Sequence, residues 1–306
     1  MTFLAQVTDV RTALREGFAQ LREAHVPSHT LAAELLLLHV LGRDRTWIYS
    51  HPEEEIAASE ADRYFALIRR RAAGEPTQHL TGKQEFWGLE FEVTPDVLIP
   101  RPETEHVVEV ALDRLALHEL HAGRPQKTDG AGLHIADIGT GSGCIVIALA
   151  KELPAATFLA TDISSAALVV ARRNATRHNL SGCIHFLECN LLDGLTDATR
   201  HSPLGFDLLV SNPPYIGRRE TATLMREVRE HEPEVALYGG EEGYELYPEL
   251  TAQAASHLKP GGILVLELGH DSLSTVQPLL DKSTWTNVGV TNDLANIPRV
   301  LAAERL

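Results

Sequence analysis

Asn212-Pro213-Pro214-Tyr215 is the stretch of this chain whose residue types could do the most specific chemistry. It follows Phe206-Asp207-Leu208-Leu209-Val210-Ser211, an apolar run that reads as a buried strand. Two successive prolines lack backbone donors and hold φ near −65°, so the chain must leave the sheet there in a stiff turn. The turn collects an Asn amide, a proline carbonyl with no competing donor, and an aromatic ring. Such a set suits a planar NH2 group, whose two hydrogens need two acceptors and whose flat face needs a ring. An ordinary strand-ending turn would read the same way in isolation, so the flanking strands have to decide.

Three further strand ends carry polar chemistry. Asp137-Ile138-Gly139-Thr140-Gly141-Ser142-Gly143 closes a strand and opens a helix, and its glycines let a ligand approach the backbone. Cys144 stands where a dinucleotide fingerprint needs Gly or Ala, and no Gly-Lys-Ser/Thr follows, so neither that motif nor a Walker loop is met. The next strand ends in Thr161-Asp162, a carboxylate placed to bind ribose hydroxyls or to cap the helix starting near Ser164. The third ends in Cys189-Asn190-Leu191, a polar and an apolar group able to grip an adenine edge and face. Together the four strand ends outline one cleft that holds an adenosine-type cofactor beside an NH2-binding turn.

The elements that must position these residues alternate in type. Leu133–Ile138, Thr157–Asp162, Ile184–Glu188, Phe206–Ser211 and Gly262–Leu268 read as strands, with Thr286–Val290 and Arg299–Ala303 adding two at the end. Helical patterns at Cys144–Leu153, Ser164–His178 and Tyr244–Leu258 lie between them. That alternation predicts an α/β domain with a mainly parallel, doubly wound sheet whose ligands bind beyond the strands' carboxyl ends. The front of the chain reads as a small helical bundle. Val7, Val10, Leu14, Phe18 and Leu21 share one helical face, Leu31 to Leu41 ends at Gly42, and a third helix is expected from near Pro52 to Gly74, opened by Glu53–Glu55. Phe91 and Val93 alternating with Glu90 and Glu92 predict a β-hairpin connector, Thr104 a helix cap, and 121–132 a polar loop.

Composition narrows the partners. The chain has 306 residues, 44% of them hydrophobic, with no apolar run long enough to span a bilayer and no basic-then-apolar start at Met1-Thr2-Phe3-Leu4. Cys144, Cys183 and Cys189 have no metal-ligand spacing and suit a reducing cytosol. A net charge of −15 argues against broad binding to nucleic acid. A cytoplasmic monomer is expected, without a membrane or direct nucleic-acid partner and without a metal. His79, His106 and His231 are read as surface or packing residues. Arg101 and Glu103 are read either as shaping the cleft mouth or as an ion pair.

With these motifs in view, the chain resembles the class I S-adenosylmethionine methyltransferases that carry an (Asn/Asp/Ser)-Pro-Pro-aromatic motif. Glu85-Phe86-Trp87-Gly88-Leu89, Val97-Leu98-Ile99-Pro100-Arg101-Pro102-Glu103-Thr104-Glu105 and Glu232-Pro233-Glu234-Val235-Ala236-Leu237-Tyr238-Gly239-Gly240 are similar to segments of the glutamine methyltransferases among them. The helical front, with Ala33-Glu34-Leu35-Leu36-Leu37, is similar to the release factor-specific branch, the PrmC/HemK family. The resemblance implies a Rossmann-like domain with a seven-stranded sheet at 104–306, a helical substrate-recognition domain at 1–75 and a hairpin linker at 76–103. It implies methylation, at N5, of the glutamine in the Gly-Gly-Gln motif of class 1 peptide chain release factors, yielding S-adenosylhomocysteine. Cofactor would be held by Gly139, Thr140, Gly141, Ser142, Gly143, Asp162, Asn190, Leu191 and Asn212, and substrate by Asn212, Pro213, Pro214 and Tyr215. Asn212, Pro213 and Tyr215 would be catalytic. The Asn212 oxygen and Pro213 carbonyl would accept the amide hydrogens, and Tyr215 would hold the amide plane. Leu191 stands where a relative can carry an aromatic residue. The alternatives are a glutamine of a ribosomal protein, or the exocyclic NH2 of a nucleic-acid base, which would need a flipped base and a basic groove.

Overall fold

A buried apolar stripe at helical spacing (Val10, Ala13, Leu14, Gly17 and Leu21) makes Val10–Glu23 the first helix, α1. The computed structural model describes residues 8–121, 129–195 and 205–306. Val7, the first four residues and most of the polar stretch 121–132 lie outside them. The Asp9 side chain accepts from the Thr12 backbone N–H at 2.7 Å and caps α1. Helix α2, His29–Leu41, ends at Gly42 in the left-handed conformation. The third helix departs from expectation. Arg45–Ser50 (α3) is helical, Glu55–Ile56 (β2) pairs antiparallel with Thr8–Asp9 (β1), and the long helix α4 spans only Ala58–Ala72. Glu53–Glu55 therefore precede that helix, and Glu60 supplies its first-turn acid. Val10, Leu14, Leu36, Leu37, Tyr64 and Ile68 close this unit's own core.

By its internal packing the chain forms two compact units, Met1–Lys83 with Met225–His231, and Gln84–Leu224 with Glu232–Leu306. A hairpin of Lys83–Phe86 (β3) and Leu89–Glu92 (β4) begins at the division between them. The second unit is built on seven strands. In chain order they are His134–Ile138 (β5), Thr157–Asp162 (β6), Ile184–Glu188 (β7), Phe206–Ser211 (β8), Leu258–Glu267 (β11), Trp285–Asn292 (β12) and Pro298–Arg305 (β13). Two short strands, Ile216–Gly217 (β9) and Tyr238–Gly240 (β10), pair parallel with each other apart from that sheet. The sheet order is β12-β13-β11-β8-β5-β6-β7. Pairs from β11 to β7 run parallel, and β13 enters antiparallel between β11 and β12. This is the mainly parallel sheet that the alternation of elements predicts, with the seven strands and Rossmann-like form that the family resemblance implies.

Both faces are buried, as a parallel sheet requires. Leu208 and Val210 point into one core with Ile135, Ile263, Val265 and Val146, while Leu209 points into the other with Ala136, Leu264, Leu266 and Tyr247. A short helix, Thr77–Thr81 (α5), precedes the hairpin, and helices Glu105–His121 (α6), Cys144–Glu152 (α7) and Ser165–Arg177 (α8) follow the hairpin, β5 and β6 respectively. Thr104 does not cap α6 in the expected manner. It ends a 3-10 turn, Pro102–Thr104, with its side chain turned into the protein and only 2% exposed.

Candidate functional site

The carboxyl ends of β5, β6, β7 and β8 surround a cavity of about 390 Å³, within the range of small-molecule sites. Gly139, Thr140, Gly141, Ser142, Asp162, Asn190, Leu191, Asn212 and Pro214 all line it, so residues from four separate strand ends meet as the spacing predicts. Gly143, Pro213 and Tyr215 are not on its wall. Gly143 forms the N-cap of α7, behind the loop it completes, and Pro213 is buried. The Tyr215 ring packs with the core on the Tyr247 face of the sheet, and its hydroxyl donates to Glu267 Oε1 at 3.3 Å. The ring expected to hold an amide plane thus packs behind this wall, tied to a buried carboxylate.

Local hydrogen bonds explain how each strand end is held. The β5 and β8 ends are joined where Ser211 Oγ donates to the Ile138 carbonyl at 2.7 Å. Asp162 accepts from the Gly141 N–H at 2.9 Å and, through its other oxygen, from the Ser164 N–H at 2.8 Å. It thus fastens the glycine loop to β6 while Ser164 itself caps α8. Thr161 Oγ1 donates to the Leu191 carbonyl at 2.8 Å, drawing the β7 end toward β6. Burial raises the pKa of Asp162, opposed by these backbone donors. Asp137 is fully buried below the loop, accepts from Thr140 Oγ1 at 2.7 Å, and is pushed up to about 7 by desolvation.

Asn212 is held by a residue distant in sequence. Its Nδ2 donates to Thr104 Oγ1 at 3.0 Å, which leaves Oδ1 as the acceptor of the amide. The wall continues through Asp96–Leu98, Arg101 and Thr104 on one side and Val235, Ala236 and Tyr238 on the other. Arg101 pairs with Glu232, not with Glu103, and Glu232 also accepts from the Ile99 N–H at 3.1 Å. The segments before α6 and after the turn are clasped together in this way. Gly239 permits a close pass: a Cβ there would lie 2.2 Å from the Pro214 carbonyl oxygen.

Glu267 has no place in the expectations drawn from the sequence, where Thr104 stands only as a helix cap and Glu232 only at the head of a segment of family resemblance. For Glu267 a signal existed, a lone carboxylate between the apolar run Ile263-Leu264-Val265-Leu266 and Leu268. For the contacts that Thr104 and Glu232 make there was none, since their partners lie more than 100 residues away.

The cradle suits an adenosine-type cofactor. Cβ atoms added at Gly139 or Gly141 would meet nothing within 4 Å, so the loop presents open backbone beside the Asp162 carboxylate. Among the described residues no group of three or more His, Cys, Asp and Glu could hold a metal ion.

Comparison with known proteins agrees with this geometry. The family model described as PrmC N-terminal domain matches residues 12–82, and that described as Methyltransferase small domain matches 124–241. Release factor glutamine methyltransferase of Koribacter versatilis is 40% identical over 97% of this chain and 98% of its own length. The protein of the same name from Chlorobaculum tepidum is 41% identical over 97% of each chain. Among solved structures, the human hMettl16 catalytic domain in complex with MAT2A 3'UTR hairpin 6 superposes with a TM-score of 0.55 at 20% identity. The match covers 77% of this chain and 81% of that one, a likeness of fold. With close to 40% identity along almost the full length of both partners, the chain belongs to the release factor glutamine methyltransferase family.

Proposed function

We propose that this chain transfers the methyl group of S-adenosylmethionine to the side-chain N5 of the glutamine in the Gly-Gly-Gln motif of class 1 peptide chain release factors. The observation that carries the reading is Asn212 on the wall of the glycine-loop cavity, with its NH2 occupied by Thr104. S-adenosylmethionine, when bound, supplies a methyl already activated on a sulfonium. The chain's own task is then mainly placement. Gly139–Ser142 offer backbone, Asp162 can accept from ribose hydroxyls, and Asn190 and Leu191 face the adenine region.

A carboxamide nitrogen is a weak nucleophile because its lone pair is delocalised into the carbonyl. Asn212 Oδ1 and the Pro213 carbonyl, which joins to Pro214 on the wall, accept its two hydrogens, aim the nitrogen and stabilise the positive charge that develops on it. Pro214 and the Val235–Ala236 wall exclude water from the amide. The spent proton can leave after transfer, so no dedicated base is required. Tyr215 contributes by holding the turn through Glu267.

The helical unit, read as residues 1–75, serves substrate recognition, supported by the match of residues 12–82 to the PrmC N-terminal domain. Residues 76–103 act as linker and 104–306 as the methyltransferase domain. The protein works as a cytoplasmic monomer on a protein substrate, without nucleic acid or membrane as a direct partner. The net charge of −15 supports this reading. Among the described residues, no helix is long and apolar enough to cross a membrane.

Labelled S-adenosylmethionine offered with unmodified release factor, ribosomal protein and DNA in separate reactions tests the proposal. Mass spectrometry should place the label on the release factor glutamine. Label on ribosomal protein or DNA alone would overturn it.

A further inference from the structure

The motif's own ring, that of Tyr215, packs behind the cavity wall with its hydroxyl on Glu267, so it does not reach a substrate amide held at Asn212. Yet one ring does line the cavity. Among the described residues of the wall, Tyr238 is the aromatic one. It is half-buried, and it belongs to the segment that returns over the motif turn.

Three contacts hold that ring beside the turn. Tyr238 is the register partner of Ile216 in the parallel pair of β9 and β10, so it lies across from the residue that follows the motif. Gly239, next in the chain, runs so close to Pro214 that a Cβ would lie 2.2 Å from the Pro214 carbonyl oxygen, which pins this backbone on the turn. The Arg218 guanidinium lies over the Tyr238 ring, 4.7 Å from its centroid. Arg218 also pairs with Glu234 Oε2 at 3.3 Å, at the start of the short helix Glu234–Leu237. It is exposed and off the cavity wall, so it covers the ring from outside and leaves the rest of the ring to the cavity. Val235, 51% exposed on the same wall, continues the apolar surface.

A carboxamide is flat, and its hydrogen bonds lie in its plane. The two acceptors at Asn212 and Pro213 therefore fix where the nitrogen is but let the plane roll about them. The roll matters, because the nitrogen lone pair stands perpendicular to the plane and must point at the incoming methyl. The methyl takes one face of the amide, which leaves the opposite face for a ring.

We propose that Tyr238, and not Tyr215, is the aromatic residue that contacts the substrate glutamine, its ring lying against the carboxamide face turned away from the methyl donor. Arg218 is its positioning residue. The inference rests on the release factor reading and names the side chain that recognises the amide plane.

Steady-state kinetics with unmodified release factor test it. Tyr238→Leu keeps apolar volume but not the flat ring, and kcat/KM should fall about 10-fold. Tyr238→Phe should recover most of that loss. Calorimetric affinity for S-adenosylhomocysteine should stay within a few-fold in both, which also shows that they fold. Arg218→Met should cost about 3-fold alone and nothing further in a Tyr238→Leu background, as expected of a residue that acts through the ring. In ¹³C-tyrosine protein saturated with S-adenosylhomocysteine, added release factor should shift the Tyr238 ring signals more than those of Tyr215, each assigned by its loss in the Phe variant. An unchanged kcat/KM in Tyr238→Leu, a loss in Tyr238→Phe as large as in Tyr238→Leu, or a larger shift at Tyr215 would overturn this proposal and leave the functional reading standing. Failure of the unsubstituted enzyme to methylate release factor would overturn both.

Discussion

At the scale of residues, the proposed transfer gives two side chains on the cavity wall different duties. Asn212 is the acceptor that the proposed transfer requires, and its replacement removes a preorganised group where charge develops. Asn212→Ala should lower kcat about 10²–10³-fold while cosubstrate binding stays within a few-fold, checked by turnover alongside calorimetric titration. Asp162 already holds the Gly141 and Ser164 N–H groups and faces the cavity with its remaining lone pairs. Asp162→Ala should weaken S-adenosylhomocysteine binding about 10–100-fold, because charge-assisted hydrogen bonds contribute about 1.5–3 kcal/mol each. An unchanged affinity in that variant would remove Asp162 from the binding site. Leu191 shows how a residue can be read correctly as cavity lining from its place at a strand end alone.

Among elements, the important relation is between the turn after β8 and the segment Glu234–Gly240 that returns over it. Gly239 has no room for a side chain, since a Cβ would lie 2.2 Å from the Pro214 oxygen and 2.6 Å from the Gly243 oxygen. Gly239→Ala must push the turn aside, so stability should fall by about 1–3 kcal/mol and the rate should fall with it. Thermal unfolding and single-turnover kinetics would register both. The Arg101–Glu232 pair is the other clasp, with Glu232 buried and Arg101 keeping some water contact. Removing one partner of a buried pair costs about 3–5 kcal/mol, and Glu232→Ala should fall at the lower end because Arg101 can be partly solvated. A denaturant midpoint unchanged by that substitution would show the clasp to be idle. Sheet elements were legible in the sequence because each strand's apolar run is closed by a turn signal. The third helix was misplaced because three glutamates resemble a first turn, whereas pairing of Glu55–Ile56 with Thr8–Asp9 is a contact between distant residues.

For the molecule as a whole, two fully buried carboxyls give stability a pH dependence of definite sign. Asp137 and Glu267 are both raised to about 7 in the folded state, from ordinary values of 3.8 and 4.5. The folded protein binds their protons more tightly than the unfolded chain does. The stability this contributes is fully present below about pH 4 and is lost as pH rises through 7. Asp9, Asp281 and Asp293, lowered chiefly by hydrogen bonds from neighbouring residues, act in the opposite sense but only below their ordinary pKa. The melting temperature should therefore decline between pH 5.5 and pH 8, and Glu267→Gln should flatten part of the decline. A melting curve that rises over this interval would contradict the assignment.

Local rules of periodicity and turn chemistry were enough to place the strand runs, the mainly parallel character of their sheet and the four strand ends that meet at the cavity. Those features follow from side chains near each other in sequence, where burial and backbone constraints act directly. Tertiary structure alone decided that Thr104 holds Asn212, that Glu232 clasps Arg101, and that Tyr215 turns to Glu267 behind the wall. Each of these depends on a polar group finding its partner across 52 to 131 residues of chain. Hydrogen bonding selects such partners only after the sheet has brought the strand ends together and removed them from water.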